Sequence, residues 1–162
     1  MKSKITKAVL KSPALYSEIS GIDDPSKVSD VLQPYVKYFK SPLIKWGAIK
    51  KGLRSEALSD MLQITGAKQN ELSGWLSITE PTLRKFMQDK KTLNVGLSEH
   101  LIQLFELYDK GIDTFGSVAE FKSWLKHFNI GIDAVPADML DTITGIAIVM
   151  NELRRIDYGV LA

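Results

Sequence analysis

Between Gln69 and Gln88 the chain reads QNELSGWLSITEPTLRKFMQ. Counting from Gln69, apolar residues fall at positions 4, 8, 10, 15 and 18: Leu72, Leu76, Ile78, Leu83 and Phe86. Two short helices that cross at a sharp turn can share one core only if their apolar residues keep fixed offsets of this kind. Ser73 supplies a small side chain where the two helices must approach each other. Thr79 is placed to cap the second helix, and Pro81 falls in its first turn, where the missing N–H costs little. The turn position, Ser77, wants a left-handed backbone and is ordinarily glycine, so serine there is a departure from the pattern.

The chain around this unit also reads as helices. SPLIKWGAIKKG opens with a serine cap and Pro42 at the first helical position, and Gly52 stops it. RSEALSDMLQITG places Ala57, Leu58, Met61, Leu62 and Ile64 on one face before Gly66. GLSEHLIQLFELYDKGIDTFG carries Leu97, Leu101, Leu104, Phe105, Tyr108, Ile112 and Phe115 at spacings of three and four, which predicts a long amphipathic helix. In SVAEFKSWLKHF, Ser117 and Glu120 stand in capping-box positions ahead of Phe121, Trp124, Leu125 and Phe128. DTITGIAIVMNELRRID repeats the helical spacing through Ile143, Ile146, Met150, Leu153 and Ile156. Residues 1–41 are broken by Pro13 and Pro34 and followed by Pro42; one helix is expected from Ser26 to Phe39, capped by Ser26 and kinked or ended by Pro34. No alternating segment is long enough to require a sheet. The class is all-α.

Composition narrows the function. Cysteine is absent, which removes disulfides and thiolate metal sites and fits a reducing compartment. The apolar triplet Ala8-Val9-Leu10 is too short for a signal-peptide core, and no apolar run reaches the roughly 18 residues of a membrane helix. A cytoplasmic protein without a membrane span is expected. The net charge of +2 conceals an asymmetry. Residues 1–91 hold 16 Lys and Arg against 9 Asp and Glu, a net +7, and residues 92–162 hold 5 against 10, a net −5. A basic front and an acidic back suit two partners, one of them a polyanion.

If the second helix of the 69–88 unit enters a DNA major groove, its outward residues must reach bases or phosphates. These are Thr79, Glu80, Thr82, Arg84, Lys85 and Gln88, with Lys90 and Lys91 just beyond. Arg84 or Lys85 can read guanine edges and Gln88 adenine, while Lys90 and Lys91 suit phosphates. Glu80 is awkward near phosphate but can accept from a cytosine amino group.

Little else suggests chemistry. His100 and His127 have no ligand partner at metal spacing and are read as helix-surface residues. Asp138 and Asp141 could be imagined as a carboxylate pair, but their place at a helix end favours capping. With no glycine-rich phosphate loop and no nucleophile–base pattern, the chain is read as a binding protein, not an enzyme, and needs no cofactor or metal. Trp46, Trp75 and Trp124 are assigned to the core. Arg154 and Arg155 complement a helix C-terminus or reach a carboxylate on a partner.

Five segments in order resemble the Xre/MbcA/ParS-type antitoxins: PLIKWGAIKKGLRSEAL, LSITEPTLRKFM, FGSVAEFKSWLKHFN, PADMLDTITG and VMNELRRIDYGVLA. The resemblance runs from about Pro42 to the end. It departs at Phe128, where a proline commonly precedes the asparagine, and in a shorter loop from Asn129 to Pro136. The resemblance implies an N-terminal extension (1–41), an Xre-like helix-turn-helix domain (42–112) and a C-terminal toxin-binding domain (113–162). It further implies a homodimer that binds operator DNA and covers the active site of a cognate RES-domain toxin, an NAD-degrading enzyme. The toxin-facing residues would be Asn129, Arg154, Arg155, Tyr158, Gly159, Val160 and Leu161. The apolar ending Val160-Leu161-Ala162, turned out of the last helix by Gly159, would be covered by the toxin or by a second antitoxin chain. The alternatives are a stand-alone helix-turn-helix regulator whose C-terminal half senses a ligand or dimerises, and an antitoxin without DNA binding.

Overall fold

A computed structural model describes residues 24–159. Those residues form eight α-helices and one 3-10 turn, with no strand among them: α1 (Pro25–Lys40), α2 (Pro42–Lys51), α3 (Glu56–Thr65), α4 (Gln69–Trp75), α5 (Glu80–Asp89), α6 (Val95–Phe115), α7 (Val118–Lys126), the 3-10 turn Pro136–Met139 and α8 (Ile143–Asp157). The protein is all-α, as the spacing predicts. Two isolated antiparallel bridges, Arg54 with Thr92 and Asn129 with Ala134, tie loops together.

α1 departs from expectation at both marked positions. Its cap is Asp24, whose Oδ1 accepts from the Ser26 N–H at 3.0 Å, so Ser26 lies inside the helix. Pro34 does not end the helix, which continues to Lys40. An interior proline costs about 3 kcal/mol. Against that, Val28, Leu32 and Tyr35 are all buried, at about 1.5–3 kcal/mol for each large apolar side chain, and the exposed Pro34 ring faces away from them. Tyr35 stacks on Phe105 at 3.8 Å between ring centroids and donates to Asp60 Oδ2 at 2.5 Å. Burial first, and then that acceptor, raise the phenol well above its ordinary range.

α2 starts and stops where its signals lie, at Ser41 and Gly52. Its inward line runs through Lys45, Ala48 and Ile49, with Lys45 bonded to Glu106 at 2.5 Å. Trp46 lies off that line and is 61% exposed, with Leu43 exposed beside it. Its assignment to the core is therefore corrected. Trp75 and Trp124 do pack against the core, Trp75 near Tyr108 and Trp124 near Phe115 and Phe121.

α6 is the axis of the molecule. Its burial is wider than one face, because α1, α2 and α3 pack on it from one half of the chain and α7 and α8 from the other. Leu97, Leu101, Leu104, Phe105 and Tyr108 are buried as the spacing predicts, but so are His100, Ile102, Leu107 and Gly111. All the buried apolar residues join one continuous cluster. The helix runs across the expected domain boundary at residue 112.

Three further assignments are corrected here. His100 is not on the surface: it is buried, with Nε2 2.8 Å from the Leu140 carbonyl oxygen. His127 is exposed just beyond α7, its Nδ1 2.6 Å from the Ser123 carbonyl. Neither Asp138 nor Asp141 caps a helix; Thr142 caps α8 by accepting from the Gly145 N–H at 2.9 Å. Phe128 is exposed, because α7 stops at Lys126 and never carries it onto the apolar face.

Candidate functional site

The 69–88 stretch forms two short helices joined by a tight turn. Leu72, Leu76 and Leu83 are buried, and Ile78 and Phe86 pack partly buried against the same core. Ser73 is buried, and its carbonyl accepts from the Ile78 N–H at 3.0 Å, closing the turn. Ser77 holds the left-handed conformation that glycine would adopt more cheaply, at φ 54°. Its Oγ donates to the Asp141 carbonyl at 3.4 Å, so the turn touches the start of α8. Thr79 caps α5 by accepting from the Thr82 N–H at 3.3 Å.

That frame leaves Thr79, Thr82, Arg84, Lys85, Gln88, Lys90 and Lys91 exposed. Glu80 is half-buried and accepts from Arg84 at 3.1 Å, one helical turn along. Its carboxylate is thus held against the Arg84 guanidinium and partly neutralised. Lys91 lies 3.7 Å from Asp89. One face of α5 therefore presents donors, and its two acids, Glu80 and Asp89, each lie beside a cation.

The second candidate surface lies on the loop after α7 and on α8. Asn129 turns its side chain back into its own loop: Oδ1 accepts from the Ile132 N–H at 3.1 Å, while its backbone pairs with Ala134. It shapes the loop through these bonds. The residues that reach outward are its neighbours, Phe128 and Ile130, the latter 84% exposed. A Cβ on Gly131 would sit 2.4 Å from Glu152 Oε1, so any side chain there would have to push the Glu152 carboxylate aside. Glu152 is buried and accepts from Arg155 at 3.0 Å. Arg154 is exposed and bonds to Asn151 at 3.0 Å. Tyr158 is 84% exposed and Gly159 turns the chain at φ 67°. Val160 and Leu161 lie outside the described residues. The end of α8 is tied to α6 by an ion pair between Lys110 and Asp157. This bond is the largest cause holding the Lys110 ammonium above, and the Asp157 carboxyl below, their ordinary ranges.

Sequence reasoning missed Phe128, Ile130 and Glu152. A large apolar residue in a turn, as in Asn129-Ile130-Gly131, is the signal that could have marked Ile130, since turns normally carry polar residues.

Residues 110–159 match the antitoxin Xre/MbcA/ParS C-terminal toxin-binding domain. The chain is also 27% identical over 135 residues to the Prs ADP-ribosylating antitoxin of Sphingobium sp. (strain YBL2), across 77% of this chain and 85% of that protein. The matched segment begins in the last turns of α6 and ends at Gly159, so it contains the loop, the 3-10 turn and α8 with their exposed residues. Residues 110–159 thus carry the Xre/MbcA/ParS toxin-binding domain, and the chain resembles antitoxins of that type.

Proposed function

We propose that this antitoxin neutralises a RES-type, NAD-consuming toxin by laying residues 113–162 over its active site, and that residues 69–91 bind operator DNA to repress the operon in the cytoplasm. The observation that carries the first half is the toxin-binding domain match, combined with exposed Phe128, Ile130 and Tyr158 inside it. Large exposed side chains on a braced loop and a helix end are the material of interface anchors. The name of the Sphingobium relative refers to ADP-ribosylation, a reaction whose usual donor is NAD, and this agrees with a toxin that binds NAD. The acidic C-terminal half suits a basic nucleotide site on that toxin. The DNA half rests on the offset match across 69–88 and on the exposed donors of α5. A homodimer would present two such helices to a palindromic operator.

Co-expression with the product of the adjacent reading frame tests the toxin half. The full chain should co-purify with that protein and rescue growth and NAD levels. Removing residues 158–162 should abolish rescue without changing the thermal midpoint. If the truncated chain still protects cells, the C-terminal residues form only a glycine-type helix cap. If no toxic protein is bound at all, the stand-alone regulator is the better reading.

A further inference from the structure

The loop that follows α5 returns to the loop that precedes α3. The Leu93 N–H donates to the Leu53 carbonyl at 2.8 Å, and Arg54 bridges Thr92 in antiparallel register. Gly52 makes the approach possible: a Cβ there would fall 2.4 Å from the Leu93 carbonyl oxygen, and φ is 86°. This contact unites two basic segments that are far apart in sequence. Lys50 and Lys51 end α2, Arg54 follows, and Lys90 and Lys91 arrive from the end of α5. The Glu56 carboxylate, lowered chiefly by hydrogen bonds to backbone and to Arg54, also feels Lys90, so the two segments share one electrostatic neighbourhood.

All five cations are exposed, and the Arg54 side chain is 84% so. Two acids stand among them, Glu56 bonded to Arg54 at 3.0 Å and Asp89 near Lys91, which leaves a local net charge of 5 − 2 = +3. Lys50 and Lys51 also complement the C-terminal dipole of α2, and that alone would explain two of the five. It does not explain Lys90. This residue closes α5 in the left-handed conformation, φ 50°, where glycine is the unstrained choice. Lysine at this exposed cap adds a charge where glycine would relieve the backbone.

We propose that Lys50, Lys51 and Arg54 join Lys90 and Lys91 as a wall that grips the DNA phosphate backbone beside α5. The inference rests on the proposed DNA binding and adds to it three contacts from outside the helix pair. Phosphate contacts fix the register of a protein on the duplex without reading sequence, so this wall would orient α5 for the base contacts of Arg84, Lys85 and Gln88.

The test is binding of the full chain to a short duplex of arbitrary sequence, by fluorescence anisotropy across a NaCl series. Each lost phosphate contact lowers the slope of log K against log salt by about 0.9. The pair Lys51→Gln and Arg54→Gln should therefore lower it by about 2, while the charge-matched pair Lys122→Gln and Lys126→Gln on α7 leaves it nearly unchanged. Lys90→Gly should raise the thermal midpoint and still lower the slope by about 1, opposite signs that a structural role alone would not produce. Equal slopes for the two double variants overturn the wall while leaving α5 as the DNA-binding element. A wild-type chain with no salt-dependent binding overturns the wall and the DNA reading together.

Discussion

His100 Nε2 lies 2.8 Å from the Leu140 carbonyl oxygen inside the protein, and one residue later the Asp141 carbonyl accepts from Ser77. A carbonyl can only accept, so Nε2 carries a proton and donates to it. The short segment between the 3-10 turn and α8 is thereby fastened on one side to α6 and on the other to the turn between α4 and α5. Here the two halves of the chain share polar contacts as well as core.

Replacing His100 should therefore cost more than its lone imidazole suggests. His100→Leu leaves the Leu140 carbonyl without its partner, an expected loss of about 1–3 kcal/mol. His100→Gln keeps a donor and should lose less. Urea unfolding of both variants checks the order; equal losses would mean that the ring acts through packing only.

Gly131→Ala should destabilise by about 1–2 kcal/mol, as extra volume in a packed contact does. The new methyl would displace the Glu152 carboxylate and break its bond to Arg155. Glu152→Ala in the same chain should relieve the clash, so the double variant is expected to be more stable than the sum of the two single losses. Additive losses in a double-mutant cycle would contradict the contact.

Pro34→Ala should stabilise the protein by about 1–3 kcal/mol, since α1 already passes through this position and the replacement restores an N–H donor to the helix. The gain is reduced by the extra freedom of the unfolded chain. Calorimetry reads the shift directly, and an unchanged or lower midpoint would show that the ring itself packs usefully.

The Lys110–Asp157 pair should shape stability at both ends of the pH scale. The Asp157 carboxyl is lowered in the folded protein, so its contribution is present above its ordinary value of 3.8 and is lost as pH falls through the lowered one. The Lys110 ammonium is raised, so its contribution is present below 10.5 and is lost as pH rises through the raised value. Between these limits the pair contributes evenly, by no more than about 1 kcal/mol given its exposure. Asp157→Asn should remove the acid-side loss and reduce the alkaline one, which Asp113 beside Lys110 also sustains, as read from urea midpoints against pH.

Much of this was legible in the sequence because it depends on local rules. The caps at Ser41, Thr79 and Ser117, the left-handed turn at Ser77 and the apolar offsets from Leu72 to Phe86 follow from what each residue can do within four positions of itself. The all-α class and the outward face of α5 follow from the same periodicity. Local rules failed where distant packing outweighed them. Pro34 stays inside a helix because buried Leu32 and Tyr35 hold it there, and His100 leaves the surface because α8 and the 3-10 turn close over α6. Trp46 is exposed because α2 turns a different line inward, and Ile130 is exposed because Asn129 folds its loop upon itself. The basic row from Lys50 to Lys91 exists only through the contact of Gly52 with Leu93. Periodicity and capping are properties of a segment, and the sequence alone determined them. Which face finds a partner, and which charges become neighbours, is set by contacts between residues far apart along the chain, and only the tertiary structure decided it.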